Sequence, residues 1–239
     1  MSESNSRRSD SRLVRWIAAA IASSFRRRAA VLQVVGDEQA ASSLEALFRA
    51  ETPFAPVVYY WQRDVISLFL LGTSNSRLGA LLRELEYVCD DSFGGRVTAE
   101  LLRRLGGRPR CVHRGWSTER LRELHRMLRS STPIGIAIDG HGPYGVVRDE
   151  VGRLLSGARA VAVPVAVAAS RSVPLHLRAV MLLPRRDARI AVTVGERVDV
   201  ARVRDDAAAQ MDGALRRAAE AARFQIGVSV MRRAVPRPA

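Results

Sequence analysis

Residues 134–168 read IGIAIDGHGPYGVVRDEVGRLLSGARAVAVPVAVA, and the fold class turns on this stretch. Ile134–Ile138 is an unbroken apolar run, the pattern of a strand covered on both faces. It stops at Asp139-Gly140-His141-Gly142-Pro143-Tyr144-Gly145, a turn too rich in glycine and proline to continue a strand or a helix. Helical spacing resumes over Arg148–Ser156, and Ala160–Ala168 is the strongest strand in the chain.

Working outward, the same alternation continues on both sides. Upstream, the pattern predicts a helix near 11–27, a strand at Ala30–Val35 stopped by Gly36, and a helix at Asp37–Arg49 capped by Asp37. The strand Pro56–Tyr60, the helix Asp64–Leu71 and a strand near Glu86–Cys89 follow. Next come the helix Val97–Leu105 ended by Gly106-Gly107, the strand Arg110–His113 and the helix Thr118–Arg129 capped by Ser117. Downstream lie the strand Arg189–Val194 and a long amphipathic helix from Arg204 to Phe224. Strands alternating with helices predict one α/β domain with helices on both faces of the sheet. Ligands of such sheets sit at the carboxyl ends of strands, where the turns after Tyr60, His113 and Ile138 all fall.

The 239 residues suffice for one such domain, expected over 29–226, with 1–10 disordered and a basic tail over 227–239 that is disordered from Arg232. With 47% hydrophobic and 26% charged residues the composition excludes collagenous, disulfide-scaffold and wholly disordered chains. The formal charge is +14, and every one of the 38 basic residues is arginine. Seven arginines fall in residues 1–30 and nine in 101–129, a density that favours an anionic partner, either a phospholipid surface or nucleic acid. Cys89 and Cys111 lack paired spacing, so neither a disulfide framework nor a metal site is signalled.

No apolar run reaches the roughly 20 residues that cross a bilayer. Leu13–Phe25 instead suits an interfacial helix over 11–28, with Leu13, Trp16, Ile17, Ala20, Ile21 and Phe25 on one stripe and arginines at both ends. Gly140-x-Gly142-x-x-Gly145 matches the dinucleotide fingerprint in letters but not in context. Nothing acidic occurs between Glu150 and Asp187 to hold a ribose, and Pro143 sits where helical amides should face a pyrophosphate. The four histidines, 113, 125, 141 and 176, are dispersed; His113 and His141 each follow a strand and could face one cleft.

Taken in order, RRRAAVLQVVGDE, PVVYYWQRD, LLRRLGGRPRCVHRGWSTERLRELHRML and GIAIDGHGPYGVVRDEVGRLLSGARAVAVPVAVAAS resemble the lysophospholipid-acyltransferase-like superfamily over about residues 12–225. The pattern is most similar to a bacterial branch that carries an Asp-Gly-Pro loop and is related to the secondary acyltransferases of lipid A. The resemblance implies an acyltransferase-like fold with a mixed, mostly parallel sheet. It also implies a place at the cytosolic face of the membrane, and acyl transfer from acyl-CoA or acyl carrier protein to a lysolipid hydroxyl, with no bound cofactor or metal. That chemistry needs a histidine base near a carboxylate, with arginine or main-chain amides holding the acceptor's phosphate.

Against this pattern the family histidine falls on Gln62, which cannot accept a proton. The resemblance carries the phosphate-binding block onto Arg114-Gly115-Trp116-Ser117 and the third block onto Asp139-Gly140, while His141-Gly142 replaces Pro-Arg and Gly94-Gly95-Arg96 replaces Asp-Gly-Glu. The expectation is therefore a degenerate acyltransferase-like protein that binds an anionic lipid. The catalytic positions would be Gln62, Asp139 and His141, and the acceptor would be held by Arg114, Ser117, Gly140, Gly142 and Gly145. One alternative is an active enzyme with His141 as a relocated base. A second is an arginine-rich nucleic-acid binder, against which stand the missing motif and the scarcity of aromatics among the arginines.

Overall fold

A computed structural model describes residues 3–50, 56–113, 118–139, 144–176 and 180–234. At its centre lie β2 (Pro56–Tyr60), buried at all five positions, and β6 (Val161–Ala169), buried at its first seven. The remaining strands are β1 (Gln33–Val35), β3 (Glu86–Asp90), β4 (Arg108–Val112), β5 (Ile134–Ala137), β7 (Ser172–His176), β8 (Val180–Pro184), β9 (Arg189–Val194) and β10 (Val198–Asp199). Eight strands form one sheet in the order β1-β9-β6-β2-β5-β3-β4, with β10 beside the first half of β6. All pairings are parallel except β6 with β9 and with β10. The fold class is as the sequence implies: α/β, with a mixed, mostly parallel sheet flanked by helices and a helix at its N-terminal end.

Pro164 stands inside a central strand, where a missing N–H would ordinarily break a ladder. It lies where the far edge of β6 passes from β10 to β9, and its carbonyl accepts the Gly195 N–H at 2.9 Å. The ladder is thus interrupted where the partner strand is itself changing.

One face of the sheet is covered by α1 (Glu3–Ala29), α2 (Asp37–Arg49), α3 (Val65–Thr73), α4 (Arg77–Glu84) and α5 (Phe93–Arg104). The other is covered by α6 (Thr118–Leu128), α7 (Asp149–Gly157) and α8 (Ala207–Ala234). Alternation along β2 shows the division, with Val58 and Tyr60 in the first core and Val57 and Tyr59 in the second. Gly152 lets α7 meet α8, since a Cβ there would stand 2.8 Å from the Ala208 nitrogen.

Several boundaries differ from expectation. Helix α1 begins at Glu3, where residues 1–10 were expected to be disordered. Once a helix is nucleated by packing, each added residue closes one more main-chain bond at little further cost. In the same way α8 runs to Ala234, past the expected end at Phe224 and into the segment expected to be a disordered basic tail. Helix α5 starts at Phe93, four residues early, because the Ser92 hydroxyl accepts the Gly95 N–H at 3.1 Å and caps it. Helix α4 and the two-stranded ribbon β7–β8 were not anticipated, and His176, expected in a loop, ends β7.

Of the stripe expected on α1, Phe25 is buried and Ile17 and Ile21 are partly buried, whereas Ala20 is exposed, as are Leu13 at 49% and Trp16 at 71%. The helix packs on α5 and α3 through a face rotated from that stripe, on which Val14, Ala18, Ala22 and Phe25 are buried. Among the described residues no single helix is long and apolar enough to cross a membrane. The bent pair formed by Gln62–Thr73 and Arg77–Glu84 is apolar because α3 and α4 lie in the core, with Val65 through Gly72 all buried.

Candidate functional site

Strands β2 and β5 are parallel neighbours, with Tyr60 opposite Ala137, so both chains leave the sheet at the same end. The Ile138 N–H extends the ladder by one bond to the Tyr60 carbonyl, 3.1 Å. Trp61, 1% exposed, then anchors the departing chain in the core, and Gln62–Asp64 forms a 3₁₀ turn leading into α3. Gln62 and Asp139 therefore meet at the carboxyl ends of adjacent parallel strands, where α/β folds hold ligands.

Asp139 is 2% exposed, and main-chain donors meet both of its carboxylate oxygens. The Gln62 N–H donates to Oδ1 at 2.6 Å, and the Gly145 N–H donates to Oδ2 at 2.7 Å. A single side chain thus clamps the end of β2 to the far side of the glycine turn. Gly145 has φ +78°, a conformation that side chains resist, which explains glycine at this point of the turn. Its carbonyl accepts from the Arg216 guanidinium of α8 at 2.9 Å, and Arg216 in turn pairs with Asp212. The Val147 N–H donates to the same Asp212 at 3.3 Å, and the Tyr59 hydroxyl donates to the Met211 carbonyl at 3.0 Å. The turn and β2 are both tied to α8.

Two residues beyond Gln62 lies a second buried carboxyl, Asp64, 4% exposed. One of its oxygens, Oδ2, has no hydrogen-bond partner. Burial pushes this carboxyl up to about 7; the Arg63 guanidinium opposes the rise, the Asp139 carboxylate adds to it, and the Val167 N–H and Arg223 oppose it. Arg63 Nε stands 3.8 Å from Oδ1, too far for a hydrogen bond. A carboxyl so placed exchanges a proton near neutrality, which Gln62 cannot do. In the sequence alone Asp64 does not stand out, because an aspartate there reads equally well as the cap of α3.

Of the expected site residues, Gln62, Asp139 and Gly145 are brought together by the Asp139 clamp. Arg114, Ser117, Gly140, His141 and Gly142 lie outside the described residues. His113 Nδ1 stands 3.2 Å from Asp91 Oδ2, in an exposed pair beyond β4 at the sheet edge, and His125 is on α6. Behind β5, a slot lined by Ile134, Ile136, Leu124, Val151 and Leu155 encloses a cavity of about 50 Å³, with Arg120 and Arg148 on its wall. Arg120 is 8% exposed; burial lowers its pKa, and Asp90 and Asp91 counter that. Cys89 and Cys111 are both free thiols.

Comparison with family models and with curated proteins finds no match to this chain. The chemistry of the site is read from its own residues.

Proposed function

We propose that the protein is an acyltransferase-like lipid-binding protein of the cytosolic membrane surface, which holds an anionic lysophospholipid or lipid A-like molecule without turning it over. The observation that carries the reading is the Gln62 N–H bonded to Asp139 at the joined ends of β2 and β5. At the position where the resemblance expects a base, the chain supplies an amide. The amide can hold a hydroxyl by a hydrogen bond but cannot remove its proton, so binding persists while turnover fails.

Support for the membrane surface comes from α1. Its inner stripe is buried, while Leu13 and Trp16 are exposed beside Arg12 and Arg15. A tryptophan and a leucine amid arginines suit the headgroup boundary of an anionic bilayer. Flotation with phosphatidylglycerol vesicles tests this. Recovery should fall several-fold for the Trp16→Ser, Leu13→Ser protein, and equal recovery with neutral vesicles would count against it. Lipids that co-purify with the protein, identified by mass spectrometry, test the ligand class directly.

A second reading is favoured by Asp64 alone. A buried carboxyl near 7 in the turn that holds Gln62 could serve as the base of an active transferase drawing on acyl-CoA or acyl carrier protein. On that reading the rate rises with pH through about 7 and is lost in Asp64→Asn.

A further inference from the structure

Between α6 and α7 runs an open groove of about 1270 Å³, on the side of the sheet away from α1. Its walls are arginine. Arg122 and Arg126 on α6 and Arg129 just past its end are spaced i, i+4 and i+7, and across from them lie Arg148, at the N-cap of α7, and Arg153 on α7. Glu150 lines the groove as well, but its 4.0 Å contact with Arg153 joins two exposed groups and offsets little of the positive charge. Between the charged walls the groove is apolar and small-sided, with Leu121, Leu154 and Gly157; Leu121 is 37% exposed, large and without polar atoms.

We propose that this groove is the docking site for an acidic, amphipathic helix of a partner protein. The inference goes beyond the lipid-binding reading and does not depend on it. Thr118 to Arg129 spans about 16 Å at 1.5 Å per residue, the length of three turns of a partner helix. Its arginines recur at helical intervals, so carboxylates at i, i+4 and i+7 of a helix laid along the groove meet them in register. The apolar floor takes that helix's leucine-type side chains. Charged walls over an apolar floor, between two helices, are the features of helix-in-groove recognition.

Other polyanions fit less well. Duplex DNA is read by a protruding element that enters a groove about 12 Å wide, whereas here the protein supplies the concavity. Single strands need a series of aromatic faces for stacking, and among the described residues the His125 imidazole is the one ring that lines this groove, with no Trp, Tyr or Phe beside it.

The test uses the full chain and a fluorescein-labelled 18-residue helical peptide with Glu at i, i+4 and i+7 on one face and Leu on the flank. A scrambled peptide of the same composition, a 20-base-pair duplex and phosphatidylglycerol vesicles serve as competitors. Fluorescence anisotropy should show salt-sensitive binding of the patterned peptide that weakens about 30-fold in R122E/R126E and about 5-fold in R153E. The double variant R186E/R197E, of equal net charge and with neither residue in the groove's lining, should bind as wild type does. Circular dichroism identifies any variant that fails to fold, and R122Q/R126Q then replaces it. The proposal is overturned if the scrambled peptide binds as tightly, if R122E/R126E weakens binding no more than R186E/R197E, or if duplex or vesicles bind through Arg122 and Arg126 while the peptide does not.

Discussion

The two faces of the sheet are packed to different degrees of completion. On the first, Leu44, Leu68, Leu70, Leu71, Leu78, Leu82 and Leu85 are fully buried around α2, α3 and α4, and the edge-on pair Phe69–Tyr87 fills the space between them. On the second, α8 presents mainly alanine, a cavity remains behind β5, and a buried arginine and an open channel lie between the helices. One face is built to hold the fold. The other leaves space and charge between its helices, as the proposed docking of a partner helix requires.

The two buried aspartates differ in the same sense. Asp139 has main-chain donors on both oxygens, whereas Asp64 keeps an oxygen without a partner. The largest expected effect follows from removing the satisfied one. Asp139→Ala strands two N–H groups and releases the glycine turn, an expected loss of about 2–5 kcal/mol, read as a fall of roughly 5–15 °C in melting temperature. Asp187→Ala, which breaks only the exposed pair with Arg171, should cost less than about 1 kcal/mol. Equal losses would show that Asp139 is no clamp.

Asp64→Asn should have the opposite sign. With its folded-state pKa raised to about 7, Asp64 binds its proton more tightly in the native chain than in the unfolded one. The resulting stability is present in acid and is lost as pH rises through about 7. The variant should therefore gain on wild type between about pH 4 and 7, by at most about 4 kcal/mol, and the difference should stay level at higher pH. Denaturant melts at pH 5 and pH 9 measure it. A difference independent of pH would mean that the carboxyl is paired or hydrated after all.

A smaller effect separates the two faces directly. Val151→Ile adds one methylene beside the 50 Å³ cavity and should be neutral or stabilising by up to about 1 kcal/mol. Val165→Ile adds the same methylene to the closed face, where Val165 is fully buried, and should cost about 1–3 kcal/mol through overpacking. Thermal melts that rank the pair in reverse would erase the contrast.

Interior strands were the most legible elements, because burial on both faces leaves an unbroken apolar run and β2, β5 and β6 all show one. Helix α4 escaped notice since its eight residues follow Ser74-Asn75-Ser76 and read as more of that loop until Ser76 is seen to cap Gly79. The ribbon β7–β8 was hidden by Pro174 and by a short, irregular apolar pattern, of which Leu175, Met181 and Leu183 pack against the first core. The pairing of Gln62 with Asp139 could be anticipated from strand ends. The state of Asp64 could not, because burial is a property of what folds over a residue. The nine arginines of 101–129 were conspicuous, but their division between buried Arg120 and the groove-lining Arg122, Arg126 and Arg129 exists only once α6 is docked.

On the proposed function the chain keeps a lipid site and lacks its base. Thioester consumption with a lysophospholipid acceptor, followed by thiol release for wild type and Gln62→His, tests it most directly. The account predicts no release above the protein-free background for wild type, although the protein still binds the acceptor, and a gain of roughly 10²-fold or more if histidine restores the base. Wild-type turnover equal to that of Gln62→His would contradict it.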